Sequence, residues 1–367
     1  MSGPRFFRKH PFVFSVVVTC VLLVAASPAQ AGKAPPSTTY VPYFGDLHAH
    51  TAVSDGTGTP AGAFASARAA GMDFFALTDH SMMIGPQWWP ATRAAADAAT
   101  TSSFVGIASY ELGWYYDHVN VFDLDTIIPK TETSQANHTP AIDFVDVLLP
   151  YPTASGQFNH PMWHEADFDG YVGWTPQRDA KMFALEVYNW GDDVGDGLWE
   201  TWSLESYVRC LDAGWHVMPT AVSDAHYVDW DTTVAPYEFR SVLLAPKLTH
   251  AGLFAAMRAR RGYATMDKNL RIDFKVAGKI MGSSVSPATR YMAAVSVSDP
   301  DTLVPGDKVT KLELVSDGGA VAASKIVTGH SVTWAPGVSS ATARYFFLRV
   351  TTGDGLTAWT APVWTGR

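Results

Sequence analysis

Histidine and carboxylate residues recur at short spacings over the first two thirds of the chain, in a pattern that suits metal binding. Asp46-Leu47-His48-Ala49-His50 places two imidazoles two residues apart, and Asp224-Ala225-His226 repeats a spaced pair much later. Side chains two residues apart on a strand share a face, so His48 and His50 can reach the same ion. The candidates between these two motifs are Asp55, His80, Glu111, His118 and His160.

These ligand types indicate a class of reaction. Imidazole nitrogen and carboxylate oxygen bind Zn, Mn and Fe alike, and a carboxylate can bridge two ions. Two ions about 3.5 to 4 Å apart polarise a substrate oxygen and lower the pKa of water toward neutrality. The pattern therefore predicts a hydrolase whose cofactors are two or three divalent metal ions (Zn, Mn or Fe).

Short apolar runs precede many of these ligands and indicate strands. The runs occupy residues 74–77, 104–107, 183–185 and 217–218, and they alternate with alanine-rich stretches typical of helices at 61–70, 91–99 and 253–260. Strands that alternate with helices predict an α/β fold with a parallel sheet or barrel. Active-site groups of such barrels collect at the carboxyl ends of the strands, so we expect the candidate ligands to converge on one face.

The pattern changes after residue 268. Apolar residues then alternate with period two in segments 271–276, 291–297, 309–315, 331–334 and 345–350, which are separated by glycine-rich turn signals. This alternation is typical of a small antiparallel β domain. We therefore predict a metallohydrolase domain over residues 40–268 and a β-sandwich-like domain over residues 269–367.

The ordered series of motifs resembles the PHP (polymerase and histidinol phosphatase) superfamily. The motifs are Asp46-Leu47-His48-Ala49-His50, Ser54-Asp55-Gly56, Leu77-Thr78-Asp79-His80, Asn159-His160-Pro161 and Ser223-Asp224-Ala225-His226. The resemblance covers residues 40–267 and implies a distorted (β/α)7 barrel. It implies three ligand sets: His48, His50, Glu111 and Asp224; then Glu111 as a bridge, with His118 and His160; then Asp55, His80 and His226. Many members of the family carry histidine near position 55, where this chain has aspartate.

A further set of motifs concerns the substrate. Arg260-Arg261-Gly262-Tyr263-Ala264-Thr265, Met281-Gly282 and Ser298-Asp299-Pro300 resemble the CehA/McbA branch of that superfamily. Members of this branch include carbaryl (aryl carbamate) hydrolases, whereas the wider superfamily consists mostly of phosphoesterases. We expect a small-molecule ester substrate, with a phosphoric ester preferred. Hydrolysis of a carbamate or carboxylic ester, or a non-catalytic role as an exported binding protein, is the alternative.

Catalytic roles are expected for three residues. Glu111 is expected to bridge two ions, and Asp224 to bind an ion and accept a proton from water. His164 is a candidate general acid or substrate donor, although its charged neighbours also suit a surface loop. Asp46 and Asp79 suit either orientation of the imidazoles or capping and solvation. Glu186 and Asn189 suit either a position facing the metals or the substrate, or a structural hydrogen bond.

The N-terminus is typical of an export signal. Residues 1–31 combine a basic start, an apolar run shorter than a membrane span and the small-residue cleavage site Ala29-Gln30-Ala31, and residues 32–39 form a Pro/Ser/Thr linker. We expect a secreted or periplasmic protein with no stable membrane anchor. Its net charge, −9 before the basic signal is removed, argues against nucleic acid as a partner. Cleavage would leave Cys210 alone, which excludes an intramolecular disulfide.

Overall fold

The structure, a computed structural model, describes most of the chain beyond the predicted linker. The described residues are 1, 3, 39–114, 117–128, 145–161, 168–190, 198–227 and 239–366. The predicted signal peptide, except for Met1 and Gly3, and linker residues 32–38 lie outside these ranges. Of the helices within them, none combines the length and the apolar character needed to cross a membrane.

The described chain is rich in strands and contains few helices. The helices are α1 Pro60–Ala69, α2 Trp88–Ala99, α3 Pro176–Asp179, α4 Leu198–Asp212 and α5 His250–Arg258. The strands before residue 268 are β1 Val41–Asp46, β2 Phe74–Leu77, β3 Val105–Ala108, β4 Tyr110–Trp114, β5 Asp117–Phe122, β6 Ser155–Phe158, β7 Met182–Asn189, β8 Met218–Val222, β9 Arg240–Ala245 and β10 Gly262–Thr265. The later strands are β11 Arg271–Val276, β12 Lys279–Ile280, β13 Arg290–Ser298, β14 Val309–Ser316, β15 Ala320–Gly329, β16 Ser331–Trp334, β17 Gly337–Ser339, β18 Tyr345–Thr352, β19 Thr357–Thr360 and β20 Val363–Trp364.

Local signals set the helix boundaries. The Thr59 hydroxyl accepts a hydrogen bond from the Gly62 amide at 3.1 Å, and proline occupies the first turn of α1. Thr249 caps α5 in the same way. A capping hydroxyl satisfies an amide that has no partner inside the helix. The three helices predicted from alanine-rich stretches are therefore present, each beginning one to three residues earlier than its apolar pattern suggested.

The predicted (β/α)7 barrel is not confirmed, because the described strands form open sheets with no closed barrel. Strands β1, β2 and β3 pair in parallel, and so do β6, β7 and β8. However, β4, β5 and β6 pair antiparallel, as do β1, β9 and β10. Only residues 115–116 separate β4 from β5, whereas a parallel pair needs a crossover of about a dozen residues. The fold is thus mixed α/β.

One sheet extends across the predicted domain boundary. Its strand order is β15-β14-β18-β19-β10-β9-β1-β2-β3, with β20 on β18. Tyr263 of β10 pairs with Thr360 of β19, which joins the last strands of the chain to those before residue 268. All the period-two segments predicted after residue 268 are strands. The division at residues 268/269 stays a prediction.

The end of β1 packs closely against the beginning of β2. Gly45 pairs with Phe74, and a Cβ at this position would clash with the Phe74 carbonyl oxygen. Phe74 and its neighbour Phe75 are fully buried, on opposite faces of the strand and in separate apolar clusters. Burial of a side chain this large contributes about 2 kcal/mol, so both faces of β2 anchor the sheet. The residues that follow β1 are held on this base.

Candidate metal centre

The motifs that follow β1 and β8 are joined by backbone hydrogen bonds. The His50 amide donates to the Ala225 carbonyl at 2.8 Å, and the Asp224 amide donates to the His48 carbonyl at 2.9 Å. Asp224 lies at a φ of 48°, in the left-handed region that is uncommon for non-glycine residues. These contacts bring the two spaced motifs together, although more than 170 residues separate them in the chain.

The remaining candidate ligands come from separate strand ends. His80 lies three residues after the end of β2, and its backbone forms an isolated parallel β-bridge with the backbone of Glu111 in β4. His118 lies on β5, opposite Gly113 of β4. His160 directly follows the residue after β6 and has a φ of 26°. The predicted convergence of these residues is therefore present in the structure.

Glu111 occupies the centre of the cluster. Its Oε1 lies 2.9 Å from His118 Nδ1, 3.3 Å from His160 Nε2 and 3.5 Å from His48 Nε2. Its Oε2 lies 2.9 Å from His80 Nδ1 and 3.5 Å from His50 Nε2. Because each oxygen faces a different group of imidazoles, this carboxylate is placed as a bridging ligand would be.

Lone pairs converge beside Glu111, which indicates that the donor set suits a cation. His48 Nδ1 lies 2.8 Å from Glu186 Oε1, so the neutral imidazole donates there and carries its lone pair on Nε2. That Nε2 lies 3.1 Å from His50 Nε2 and 3.2 Å from Asp224 Oδ1. Neighbouring acceptors of this kind are satisfied by a metal ion, and nitrogen with carboxylate oxygen is a transition-metal donor set.

Asp55 joins a second, more open group of donors. Its Oδ1 lies 3.4 Å from His226 Nε2 and 3.8 Å from His50 Nδ1, and its Oδ2 lies 3.4 Å from His80 Nε2. The His50 and His226 rings stack, with centroids 4.4 Å apart.

The cluster contains three groups of residues whose potential ligand atoms lie within 4.8 Å of one another inside each group. They are His50, Asp55, His80 and His226; His48, His50 and Glu111; and His80, Glu111 and His118. They overlap in part the three sets implied by the family resemblance. His50, His80 and Glu111 each belong to two of the groups, and His160 and Asp224 belong to none of them. The assignment of each residue to a particular ion stays a prediction.

Charge interactions within the cluster favour ionised carboxylates. Burial would raise the pKa of Glu111, but His118 and His48 hold it well below its ordinary value. Burial likewise opposes ionisation of Asp224, and His48 and His50 lower its pKa overall. Burial lowers the pKa of His50, which keeps this imidazole neutral and able to bind a metal. The carboxylates and His50 are therefore deprotonated near neutral pH. Burial would lower the pKa of His48 and His80, but neighbouring carboxylates raise it above the ordinary value in both, so a bound metal ion would displace a proton from each imidazole.

Glu186 is fully buried beside the cluster and bonds to two of its histidine residues. Oε1 accepts from His48 Nδ1 and from Gln157 Nε2, both at 2.8 Å, while Oε2 accepts from the His160 amide at 2.6 Å and from Asn189 Nδ2 at 3.0 Å. The sequence left open whether Glu186 faces the metals or the substrate, or makes a structural hydrogen bond. Hydrogen bonds are observed for both of its oxygens, one of them to the imidazole of a candidate ligand. Asn189 bonds this carboxylate and also lies 3.4 Å from Asp224 Oδ2.

Other polar neighbours serve the backbone or Glu111. Asp46 accepts from the amides of His48 and Ser223, and Asp79 accepts from Thr51 and Ser54, so both brace the turns rather than the imidazoles. Two residues to which the sequence reasoning gave no role also contact the ligand network. Asn159 donates to Glu111 at 2.8 Å, and Gln157 donates to Glu186. Gln157 and Asn159 lie two residues apart, as His48 and His50 do, directly before His160. This spacing was the signal in the sequence that could have identified them. His164 lies outside the described residues.

Replacement of Glu186 by glutamine is expected to weaken metal binding about 10- to 100-fold. The Glu186 carboxylate now accepts hydrogen bonds from His48 Nδ1 and from the His160 amide. The amide nitrogen of glutamine is itself a donor and would face one of these two groups. That residue would then lose its present orientation. Affinity can be measured by competition with a chromophoric chelator. Glu205→Gln, an exposed change of the same charge on α4, is the matched control, and equal affinities in the two variants would contradict an orienting role.

A methyl group at Gly113 is expected to displace the His118 imidazole. A Cβ at Gly113 would lie 2.8 Å from His118 Nε2, well inside van der Waals contact. We expect Gly113→Ala to fold and to lose about 10-fold or more in metal affinity, as for other changes that misplace a ligand. Gly329→Ala is the control, because its Cβ would meet atoms no closer than 3.6 Å. Wild-type metal content in Gly113→Ala at limiting metal would refute the prediction.

Solved structures of bacterial proteins resemble the chain at low sequence identity. A two-domain protein containing a predicted PHP-like metal-dependent phosphoesterase from Bacteroides vulgatus is 17% identical, with a TM-score of 0.47, over 88% of this chain and 96% of that one. A putative metal-dependent phosphoesterase from Bifidobacterium adolescentis is 14% identical, with a TM-score of 0.32, over 53% and 90%. An amidohydrolase from Chromobacterium violaceum with bound sulfate is 14% identical, with a TM-score of 0.29, over 50% and 87%.

Sequence comparison with curated proteins finds no match. A family of domains does match part of the chain. That part contains His48, His50, Asp55, His80, Glu111 and His118, which come together in the cluster described above. Residues 46–139 match the PHP domain family.

Proposed function

We propose that the protein is an exported metal-dependent hydrolase that cleaves a small phosphoric ester at a centre of two or three metal ions. The observation that carries this proposal is the position of Glu111, whose two carboxylate oxygens face separate groups of imidazoles. The match of residues 46–139 to the PHP domain supports the same reaction class. Zn, Mn and Fe all suit these ligands.

Burial indicates the side from which substrate would reach the centre. Among the described residues, His48 and Glu111 are 0% and 1% exposed, whereas Asp55 and His226 are 42% and 37% exposed. A substrate oxygen would therefore enter past Asp55 and His226. Asp224 lies between the buried and exposed groups, 2.9 Å from His50 Nε2 and 4.0 Å from His226 Nδ1.

Different residues of the cluster would have different roles in hydrolysis. Divalent ions bound here would polarise the ester and make water a stronger nucleophile. Glu111 holds the imidazoles at a common point, and Glu186 keeps His48 in the tautomer whose Nε2 faces inward. Asp224 stays ionised because His48 and His50 lower its pKa against the effect of burial, which suits a metal ligand. The same shift makes it a weaker base, so it would accept a proton only from water whose own pKa bound metal has lowered.

Two other functions are compatible with the same cluster. A carbamate or carboxylic ester hydrolase would follow from the resemblance to the CehA/McbA branch. A non-catalytic exported binding protein would use the cluster only structurally, and it predicts that Glu111→Ala and Asp224→Ala keep the biological role.

A substrate panel separates these functions. The mature chain, stripped and reloaded with Zn, Mn or Fe, would be assayed with p-nitrophenyl phosphate, bis(p-nitrophenyl) phosphate and 1-naphthyl methylcarbamate, with elemental analysis of each sample. We expect turnover of a phosphoric ester that disappears on stripping and returns on reloading. Turnover of the carbamate alone would favour the second function, and no turnover in any metal form the third.

Export is tested independently of activity. Expression of the full chain in a bacterial secretion host should release a protein whose N-terminal residue is Gly32, because cleavage is expected after Ala31. Edman sequencing of the released protein measures this. Retention of residues 1–31 would contradict the export proposal without affecting the metal centre.

A further inference from the structure

A second cluster of carboxylates lies in the later part of the chain, on segments separate from those that carry the histidine ligands. Asp267 follows β10, Asp299 directly follows β13, and Asp307 ends the short turn Pro305–Asp307 before β14. They are 3%, 3% and 6% exposed. One carboxylate oxygen from each lies within 4.8 Å of the others.

One oxygen of this cluster accepts no hydrogen bond from a donor in the described chain. Asp299 Oδ1 accepts from the Asp301 amide at 2.7 Å, whereas Oδ2 is buried without a donor, and the nearby Asp267 carboxylate can bond to Asp299 only if the two share a proton. Asp267 Oδ1 accepts from the amides of Asn269 and Leu270, both at 2.8 Å. Asn269 Oδ1, in the same turn, is also buried without a partner in the described chain.

Carboxylates this close and this buried need a cation or a proton between them. Burial raises the pKa of Asp299 to about 7, and the carboxylates of Asp267 and Asp307 act in the same direction. The adjacent Lys268 ammonium lies 3.2 Å from Asp301, which is not one of the three clustered residues. A buried carboxylate oxygen that accepts no hydrogen bond is destabilising, so some further group is expected to satisfy it.

We propose that Asp267, Asp299 and Asp307 form a binding site for a hard divalent cation, with Ca²⁺ preferred. The ligands are oxygen alone, in contrast to the histidine-rich centre, and hard cations take oxygen ligands. Ca²⁺ binds oxygens at about 2.3 to 2.6 Å, so opposite ligands lie about 4.6 to 5.2 Å apart. The spacing of this cluster, within 4.8 Å, suits that geometry. Asn269 Oδ1 is a candidate fourth ligand.

The position of the site indicates a structural role. The three residues come from the turn between β10 and β11, the end of β13 and the turn before β14. A cation here would hold residues 299–307 against the turn that follows β10, the strand that pairs with β9 and β19. A ligand that binds only the folded state stabilises it by mass action.

Calcium titration of the full mature chain, with its transition metals loaded, tests the proposal. By calorimetry we expect one additional Ca²⁺ per chain, and at about 100 times the Kd a rise of about 5 °C in the midpoint of thermal unfolding. Asp299→Asn should lose at least about 10-fold in Ca²⁺ affinity, together with the rise in midpoint. Asp273→Asn, an exposed change of the same charge on β11, should retain both.

Two further variants keep the test decisive. Asp224→Asn should retain the Ca²⁺ response, which separates this site from the histidine centre. Asp307→Asn replaces Asp299→Asn if the latter does not fold. An unchanged midpoint of the parent chain in Ca²⁺, with a higher midpoint for Asp299→Asn than for the parent, would overturn the proposal in favour of carboxyls that share a proton.

Discussion

Replacement of Glu111 by glutamine is expected to lower kcat for the preferred ester by at least about 10³-fold, with loss of bound metal. Oε1 and Oε2 lie 2.9 Å from His118 and His80, respectively, and glutamine can offer an oxygen to only one of these sides. Its amide group would present a donor where a cation is expected. The nucleophile itself would be lost, so saturating substrate would not restore the rate.

Steady-state kinetics and elemental analysis of the same sample measure this result. Glu205→Gln, on the exposed face of α4, controls for removal of a carboxylate. Thermal unfolding with metals removed separates loss of metal from loss of fold. A Glu111→Gln protein with full metal content and a kcat within 10-fold of the parent would refute the bridging role.

Replacement of Asp224 by asparagine is expected to reduce kcat by at least about 10²-fold while KM changes little. Asp224 Oδ1 lies 2.9 Å from His50 Nε2 and 3.2 Å from His48 Nε2, so the asparagine oxygen can still approach these imidazoles. It cannot accept a proton from water as an ionised carboxylate does. The loss should therefore concern the chemical step more than the binding of substrate.

Kinetics at saturating metal, with kcat and KM determined separately, test the role of Asp224. Asp273→Asn, which neutralises an exposed carboxylate on β11, is the matched control. An unchanged kcat with a raised KM would contradict proton transfer and leave Asp224 a role in substrate binding alone. An unchanged kcat with reduced metal occupancy would leave it only as a ligand.

Local patterns in the sequence were sufficient to identify many elements and the candidate ligands. The apolar run 74–77 is strand β2, and the period-two segment 271–276 is strand β11. The alternation of side chains across a strand and the capping of a helix by a preceding threonine depend on a few neighbouring residues. The spacing of His48 and His50 carries the same kind of information, so the pair could be recognised without knowledge of its partners.

The arrangement of the sheets could not be obtained from these patterns. Alternating strands and helices suggested a parallel sheet or barrel, and the family resemblance implied a (β/α)7 barrel, whereas β4, β5 and β6 pair antiparallel and the described sheets are open. A strand has the same side-chain period in a parallel and an antiparallel pair, so its apolar pattern does not specify its neighbour. Neither β4 nor β5 was among the apolar runs recognised in the sequence, so their antiparallel pairing was not predicted.

The sequence by itself determined which residues could bind metal and that many of them follow apolar strands, but it did not predict β4 and β5, near whose first residues Glu111 and His118 lie. Only the tertiary structure decided that Glu111 stands at the centre, that Glu186 orients His48, and that Asp299 meets two other carboxylates. Contacts of this kind join residues far apart in the chain and depend on distances of about 3 Å, at which hydrogen bonds and charges act. Residue type and spacing specify the available chemistry, whereas the packing of the sheets brings its atoms within reach.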